Sequence, residues 1–189
     1  MKTLFKSTVL IACVSALLLA NACNRQNESS AQRSDEVNIP DIDIHSAVLA
    51  DNIEVVKQHI AGGTDINSKD PFGGSSPLTS AAVFGKTEIA KILLEAGADV
   101  NLTNNEGSTA LHSAAFFCHS DIVQLLLDYD ADKSIKNIYG QTPYESVAGQ
   151  FSEVKPAYES LGTMLEPMGL KIDLEYLEKT RPQIAAMLK

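Results

Sequence analysis

The residues of this sequence best suited to chemistry are two histidines, His45 and His112, and an adjacent pair, Cys118-His119. Histidine is a common side chain in acid–base catalysis and in metal binding. A cysteine nucleophile needs a base within hydrogen-bond reach and a third group that orients this base. Neighbouring residues at a turn between helices point apart, so the pair does not predict a catalytic dyad. Two interpretations of Cys118 stay open, a cysteine without a role and an oxidisable surface thiol.

The acidic residues do not predict a site either. Asp41 and Asp43 lie close together, but a calcium site needs further spaced ligands, and none follows them. Glu159, Glu166 and Asp173 supply carboxylates near the end of the chain without a nucleophile and base beside them. The sequence contains neither a Gly-rich phosphate loop nor a Cys-x-x-Cys pair. We therefore expect no catalytic residues, no bound metal and no cofactor, and we expect that the protein is not an enzyme.

His112 belongs to a sequence unit that is repeated in the middle of the chain. Ser-Pro-Leu-Thr-Ser-Ala-Ala (76–82) is followed 33 residues later by Thr-Ala-Leu-His-Ser-Ala-Ala (109–115). Each copy continues into a second apolar segment, 89–94 or 122–127, with the spacing of a helix. A hydroxyl residue directly before such a segment is a typical helix start. A fixed period of this length predicts stacked helix–turn–helix units.

The repeat resembles the ankyrin repeat family. Thr109-Ala110-Leu111-His112 and Thr142-Pro143-Tyr144 carry the hallmark of that family, and Gly97-Ala98-Asp99-Val100-Asn101 carries its closing segment. The resemblance implies an all-α fold, an ankyrin-repeat solenoid of stacked helix–turn–helix units with hairpin loops. It also implies that His45 and His112 are structural, each tying the start of its helix to neighbouring backbone.

The resemblance also sets the expected domain boundaries. The ankyrin domain is expected at 41–154, with repeats at about 42–73, 74–106, 107–139 and, in part, 140–154. Pro156 is expected to interrupt the helical pattern. Residues 155–189 are expected to form a C-terminal helical cap or extension, with short helices at 173–179 and 182–188.

Two residues of the third repeat depart from the pattern where the second repeat has glycine. Cys118 stands at the place of Gly85, and Asp130 stands at the place of Gly97. Glycine is usual at a helix end because the backbone there takes left-handed φ values that other residues adopt less readily. We expect each replacement to destabilise the fold by about 1 kcal/mol.

Residues 1–22 have the features of a secretory signal peptide. Lys2 and Lys6 give a positive start, and the apolar run 9–20 is shorter than a comfortable membrane span. The run ends in a small-residue cleavage site, Ala-Asn-Ala, at 20–22. We therefore expect removal of this segment and export of the chain.

Cys23 follows the cleavage site directly and resembles the lipobox cysteine of bacterial lipoproteins, which is acylated. Residues 24–36 contain no apolar side chain larger than alanine, so 23–40 is expected to be a flexible tether. Lipidation of Cys23 is the favoured interpretation, and secretion with a free Cys23 is the alternative. The expected location is the periplasm, with the lipid anchor in the outer membrane, because Asn24 replaces the aspartate that resembles an inner-membrane retention signal.

The net charge of the chain, −9, restricts its partners. Loss of Lys2 and Lys6 with the signal peptide makes the mature chain more acidic still. An acidic protein is repelled by nucleic acids and by anionic lipid surfaces. We expect a neutral or basic protein partner, no nucleic acid, and membrane contact only through the lipid anchor.

The candidate binding residues lie at the variable positions of the concave ankyrin surface, which is formed by the hairpin tips and the exposed sides of the first helices. Aromatic side chains that the core does not need are typical binding anchors. The candidate partner-binding residues are Phe72, Val83, Phe84, Glu106, Phe116, Phe117, Ile138 and Tyr139.

The sequence therefore predicts a non-catalytic protein–protein interaction module of the bacterial cell envelope. An inhibitor or immunity-type protein that masks a toxic or lytic enzyme is one concrete version. The alternative is a stress or redox protection factor that acts through the thiol of Cys118.

Overall fold

The computed structural model describes residues 41–189. The predicted signal peptide, the tether and Cys23 lie outside this range. All regular elements between residues 41 and 189 are helical, which confirms the all-α prediction. They are α1 (Ile44–Leu49), α2 (Ile53–Ala61), α3 (Pro77–Val83), α4 (Thr87–Glu95), α5 (Ala110–Phe116), α6 (Ser120–Asp128), α7 (Glu145–Ala148), α8 (Phe151–Leu165), a 3-10 helix (Glu166–Met168) and α9 (Leu174–Leu188).

The helices α3 and α5 begin where capping residues predict. Ser76 accepts a hydrogen bond from the Thr79 backbone N–H and precedes Pro77, the first residue of α3. Thr109 and His112 form a reciprocal capping box at the start of α5. These caps satisfy backbone donors that a short helix otherwise leaves without a partner.

The first helices of successive units stack on one another, α1 on α3 and α3 on α5, and the second helices α2, α4 and α6 form a parallel row. The contacts between layers are made by small and branched apolar side chains, since alanines let the helices approach closely. The buried side chains in these contacts include Ala47, Val48, Val56, Leu78, Ala81, Ala82, Ile89, Ala90, Leu93, Leu111, Ala114, Ala115, Ile122, Val123 and Leu126.

Asparagine side chains link each unit to the next behind the second helices. The Asn67 side-chain oxygen accepts from the Asp99 backbone N–H at 2.9 Å. One unit later, the Asn101 oxygen accepts from the Asp132 N–H at 2.8 Å. The repeat spacing therefore fixes hydrogen bonds as well as apolar contacts.

The left-handed positions are found where the sequence predicts them. Cys118 has φ 58° and Asp130 has φ 59°, beside 67° at Gly85 and 90° at Gly97. Asp51, at the corresponding turn of the first unit, also has a positive φ of 55°. Non-glycine residues in this region are strained, so three turns carry a conformational cost.

The C-terminal prediction is wrong in two respects. α8 continues through Pro156 and across the predicted boundary between residues 154 and 155. α9 is one helix through Pro182, where two short helices are expected. Each proline removes one backbone donor. The residues four positions earlier, Ser152 and Glu178, are exposed, as are both prolines, so water reaches the carbonyls that lose an N–H partner.

α9 closes the end of the stack by packing against α5, α6 and α7. Its buried side chains include Leu177, Ile184 and Leu188. Among helices of residues 41–189, none is long and apolar enough to cross a membrane.

Candidate partner-binding surface

The first and third hairpin tips between the units carry large apolar side chains in water. Phe72 is 93% exposed, Ile138 is 67% exposed and Tyr139 is 66% exposed. Glu106, at the tip between them, is also exposed. Tip residues expose apolar area that the core does not use, which is typical of a binding surface.

Each tip is held by one side chain that accepts hydrogen bonds from the turn. The Asp70 carboxylate accepts from the Phe72 N–H at 2.8 Å and from the Gly73 N–H at 2.9 Å. Burial raises the pKa of Asp70, but the hydrogen bonds from the Gly73, Phe72 and Ser75 N–H groups outweigh it and hold the pKa below its ordinary value. The Asn137 oxygen accepts from the Tyr139 N–H at 3.1 Å. Asn104 does the same at the middle tip. These local bonds fix the turn backbone from which the exposed side chains project.

Backbone hydrogen bonds join neighbouring tips into a continuous row. The Asn105 N–H donates to the Gly73 carbonyl at 3.0 Å, and the Ile138 N–H donates to the Glu106 carbonyl at 2.9 Å. Gly74 suits this position because its φ of 68° is left-handed, which other residues adopt with strain, and a Cβ atom there would also meet the Asn105 side chain. The row of tips is therefore preformed, and a partner would not need to order it.

The helix residues of the predicted surface divide into two groups. Val83 and Phe84, at the end of α3, are half-buried and stay candidates. Phe117 is only 8% exposed, so the expectation of an exposed anchor is wrong for this residue. Phe116 is covered by Tyr158 of α8, with stacked rings 4.4 Å apart. The Tyr158 hydroxyl also donates to the Phe116 carbonyl at 2.6 Å.

Tyr158 and Arg181 form a buried polar cluster that the sequence does not predict. Arg181 is 3% exposed, and its Nη1 donates to the Tyr158 hydroxyl at 2.8 Å. Its Nη2 donates to the Ser146 carbonyl at 3.3 Å. Burial raises the pKa of Tyr158 to about 12, and the Arg181 charge offsets part of this effect. The cluster fixes α8 and α9 against the third unit.

The thiol of Cys118 is fully buried, so the interpretation of this residue as an oxidisable surface thiol is wrong. Its Sγ lies 3.9 Å from the Phe116 carbonyl oxygen and 4.0 Å from that of Leu177. Burial raises the pKa of this thiol to about 11. A reactive cysteine needs the opposite, an accessible group with a lowered pKa. The geometry therefore opposes the redox alternative, because α9 covers the sulfur.

His119 turns away from the cysteine. Its Nε2 donates to the Val83 carbonyl of the preceding unit at 3.1 Å. Burial lowers the pKa of His119, and the Val83 carbonyl works against this effect. The ring thus links two units, and the pair does not form a catalytic dyad.

The structural role predicted for His112 is confirmed. Its Nδ1 accepts from the Thr109 N–H at 3.2 Å, and its Nε2 donates to the Gln141 carbonyl at 3.0 Å. Acceptance at Nδ1 requires the neutral ring. Burial favours this form and lowers the pKa of His112, although the bond to the Gln141 carbonyl works against this effect.

The same prediction is wrong for His45, whose two ring nitrogens are buried without hydrogen-bond partners. The reason lies in the helix start. Asp43 caps α1 through the His45 and Ser46 N–H groups, so the histidine is one position closer to its cap than His112 is. His59, which the repeat pattern does not single out, is buried instead and donates from Nε2 to the Ile42 carbonyl at 2.7 Å. No group of three metal-ligating side chains occurs within the described 41–189 range.

Comparison with known proteins identifies the repeats. The family model for ankyrin repeats (3 copies) matches residues 44–137. The crystal structure of the ankyrin repeat domain of Bcl-3, a member of the IkappaB protein family, superposes with a TM-score of 0.53 at 35% sequence identity, covering 55% of this chain and 45% of that chain. Residues 44–137 are therefore ankyrin repeats, and the chain has the ankyrin-repeat fold.

Several curated proteins are similar over the repeats. Protein phosphatase 1 regulatory subunit 27 of Homo sapiens is 41% identical over 64 residues, 34% of this chain and 41% of that protein. DNA-binding protein RFXANK of Homo sapiens is 32% identical over 83 residues, 41% of this chain and 32% of that protein. The 2-5A-dependent ribonuclease of Homo sapiens is 33% identical over 61 residues, 32% of this chain and 8% of that protein. The chain thus spans about two fifths of these relatives, or less.

Proposed function

We propose that the protein is a non-catalytic binding module that docks one partner protein on its row of hairpin tips. The observation that carries the proposal is the exposure of Phe72, Ile138 and Tyr139 on a hydrogen-bonded row of turns. Such side chains supply apolar contact area, and aromatic anchors dominate the free energy of many interfaces. The repeat fold supports the same function, since stacked repeats present extended surfaces to partners.

The contact surface of the proposal consists of the exposed tips and the end of α3. Phe72, Glu106, Ile138 and Tyr139 form the tip row, and Val83 with Phe84 extend it toward the helices. Phe116 and Phe117 are left out, because Tyr158 covers the first and the second is buried. The C-terminal extension covers this part of the predicted surface, since Tyr158 stacks on Phe116.

The net charge of the chain indicates which charge its partner should carry. The net charge of −9 favours a neutral or basic partner and opposes nucleic acid. Association with a basic partner should slow as salt rises, because charges on opposing surfaces steer the encounter. Masking of a toxic or lytic enzyme is a specific form of this proposal, which predicts that an equimolar amount of the protein suppresses the activity of the captured enzyme.

The test compares one triple variant with one double variant of the full chain. Phe72→Ala/Ile138→Ala/Tyr139→Ala removes the tip anchors. Met164→Ala/Met168→Ala is the matched control, since these side chains are 62% and 45% exposed but lie on the C-terminal extension. Both variants should keep the wild-type circular dichroism and melting temperature, because the altered side chains are exposed.

The binding measurement is crosslinking capture followed by titration of the captured protein. Truncating a central aromatic anchor costs about 2 kcal/mol, which raises Kd about thirtyfold. The tip variant should therefore lose the partner while the methionine variant retains it. A partner that binds both variants with wild-type affinity refutes the tip row as the site.

Export and lipid anchoring through Cys23 form the second part of the proposal. They rest on the sequence of residues 1–23, with its basic start, apolar run and cleavage site. Expression in a Gram-negative bacterium and mass spectrometry of the mature N-terminus test this part. An acylated Cys23 in the outer-membrane fraction, lost in Cys23→Ser, is the expected result. An intact Met1 in the cytoplasmic fraction refutes it and leaves the tip row unaffected.

A further inference from the structure

The buried Arg181 has no acidic partner in the part of the chain that the structure describes. Its hydrogen-bond acceptors are the neutral Tyr158 hydroxyl and the Ser146 carbonyl, and no carboxylate of residues 41–189 lies within 4.0 Å of it. The Tyr158 ring adds a cation–π contact at 5.9 Å. Arginine stays charged in proteins and carries five N–H donors, so donors remain free after these contacts. A buried charge of this kind is normally balanced by an anion.

Arg181 also lines an open cavity between α7 and α9. The cavity has a volume of about 330 Å³, within the range of small-molecule sites. Apolar side chains, among them Tyr144, Val147 and Phe151, form one part of its wall, and Lys189 adds a second cation. Glu178 lines it too, but this exposed carboxylate makes no ion pair within 4.0 Å of either cation. The lining thus carries two cationic side chains and one carboxylate, in a chain with a net charge of −9.

We propose that this cavity binds an organic carboxylate with an apolar body, with the carboxylate on Arg181 and the body against Tyr144, Val147 and Phe151. A guanidinium offers parallel N–H donors that match the two oxygens of a carboxylate. The apolar wall favours an aliphatic or aromatic acid over a bare inorganic anion. A free acid and the C-terminal residue of a peptide share this chemistry. The site lies apart from the hairpin tips and does not depend on the function proposed for them.

The test is calorimetric titration of the full chain with matched acids and amides. The probes are 3-phenylpropionate for a free acid and N-acetyl-glycyl-phenylalanine for a peptide C-terminus. The controls are the corresponding neutral amides, and sodium chloride at matched ionic strength. Two variants probe the location. Ala186→Trp fills the cavity from an exposed position on its wall, and Gln183→Trp places the same side chain at an exposed position of α9 outside the cavity.

The acids should bind at least about tenfold more tightly than their amides, because a hydrogen bond to a charged group exceeds a neutral one. Gln183→Trp should bind as the wild type does, and Ala186→Trp should lose binding while melting at the wild-type temperature. Arg181→Gln should bind acid and amide alike if it folds. The acid that binds more tightly identifies the source of the carboxylate. Equal binding of acids and amides, no heat with either acid, or unchanged binding by Ala186→Trp overturns the proposal.

Discussion

Replacing Tyr158 with phenylalanine tests whether its hydroxyl locks the C-terminal helices onto the repeats. The hydroxyl donates to the Phe116 carbonyl at 2.6 Å and accepts from Arg181 at 2.8 Å. Tyr158→Phe keeps the ring and its stacking on Phe116 but removes both bonds. A hydrogen bond to a charged group contributes about 1.5–3 kcal/mol, and the loss leaves a buried donor and acceptor without these partners. We therefore expect a loss of about 3 kcal/mol in the free energy of unfolding.

The assay is thermal and urea unfolding followed by far-ultraviolet circular dichroism, because the chain has no tryptophan for fluorescence. A destabilisation of this size lowers Tm by about 6–12 °C for a domain of this length. Tyr139→Phe is the control, since that side chain is 66% exposed at a hairpin tip. Hydrogen exchange should show that the amides of α9 lose protection most. If Tyr158→Phe melts within about 1 °C of Tyr139→Phe, the buried cluster does not hold α9 and the reasoning is refuted.

Two further predictions concern turns and pH. Asp130→Gly should raise the free energy of unfolding by about 1 kcal/mol in urea titrations, because the φ of 59° suits glycine. Gln124→Gly, at an exposed position in the middle of α6, should lower it by about as much. Stability of both variants on the same side of the wild type would contradict this reading. Burial lowers the pKa values of His112 and His119. As the pH falls, the unfolded state therefore takes up protons before the folded state does, and the urea concentration at the unfolding midpoint should decrease once the pH is below about 6.5. His119→Asn should flatten this decline between about pH 7.5 and 5.5, and an unchanged slope would exclude His119 as its source.

Local patterns in the sequence predict the repeats well because the interactions that define them join residues close together in the sequence. The caps at Ser76 and Thr109 depend on residues three positions apart. The left-handed turns at Cys118 and Asp130 follow from alignment with glycines one period earlier. The exposed tips at Phe72 and Tyr139 follow from the same alignment. Partner binding by these tips remains a prediction.

The C-terminal region was not predictable in the same way. Pro156 and Pro182 indicate helix ends by local rules, but both prolines face water, where a lost hydrogen bond is replaced by solvent. The covering of Phe116 by Tyr158 joins residues 42 positions apart and leaves no periodic signal. Arg181 gives no signal either, since a lone arginine in a polar helix usually lies at the surface. These features depend on how the last helices fold back, which spacing alone does not specify.

Because α9 covers one end of the stack of repeats, the two ends should differ in stability. In a linear array, stability is approximately the sum of each unit and its contacts with the next. Within residues 41–189, the unit of α1 and α2 packs on one neighbouring unit, whereas the third is held by the second on one side and by α7 and α9 on the other. Unfolding should therefore begin at the first repeat and proceed along the stack toward α9. The tip at Phe72, next to that end, would then be the first to lose its shape, and the tip at Tyr139 would be the last.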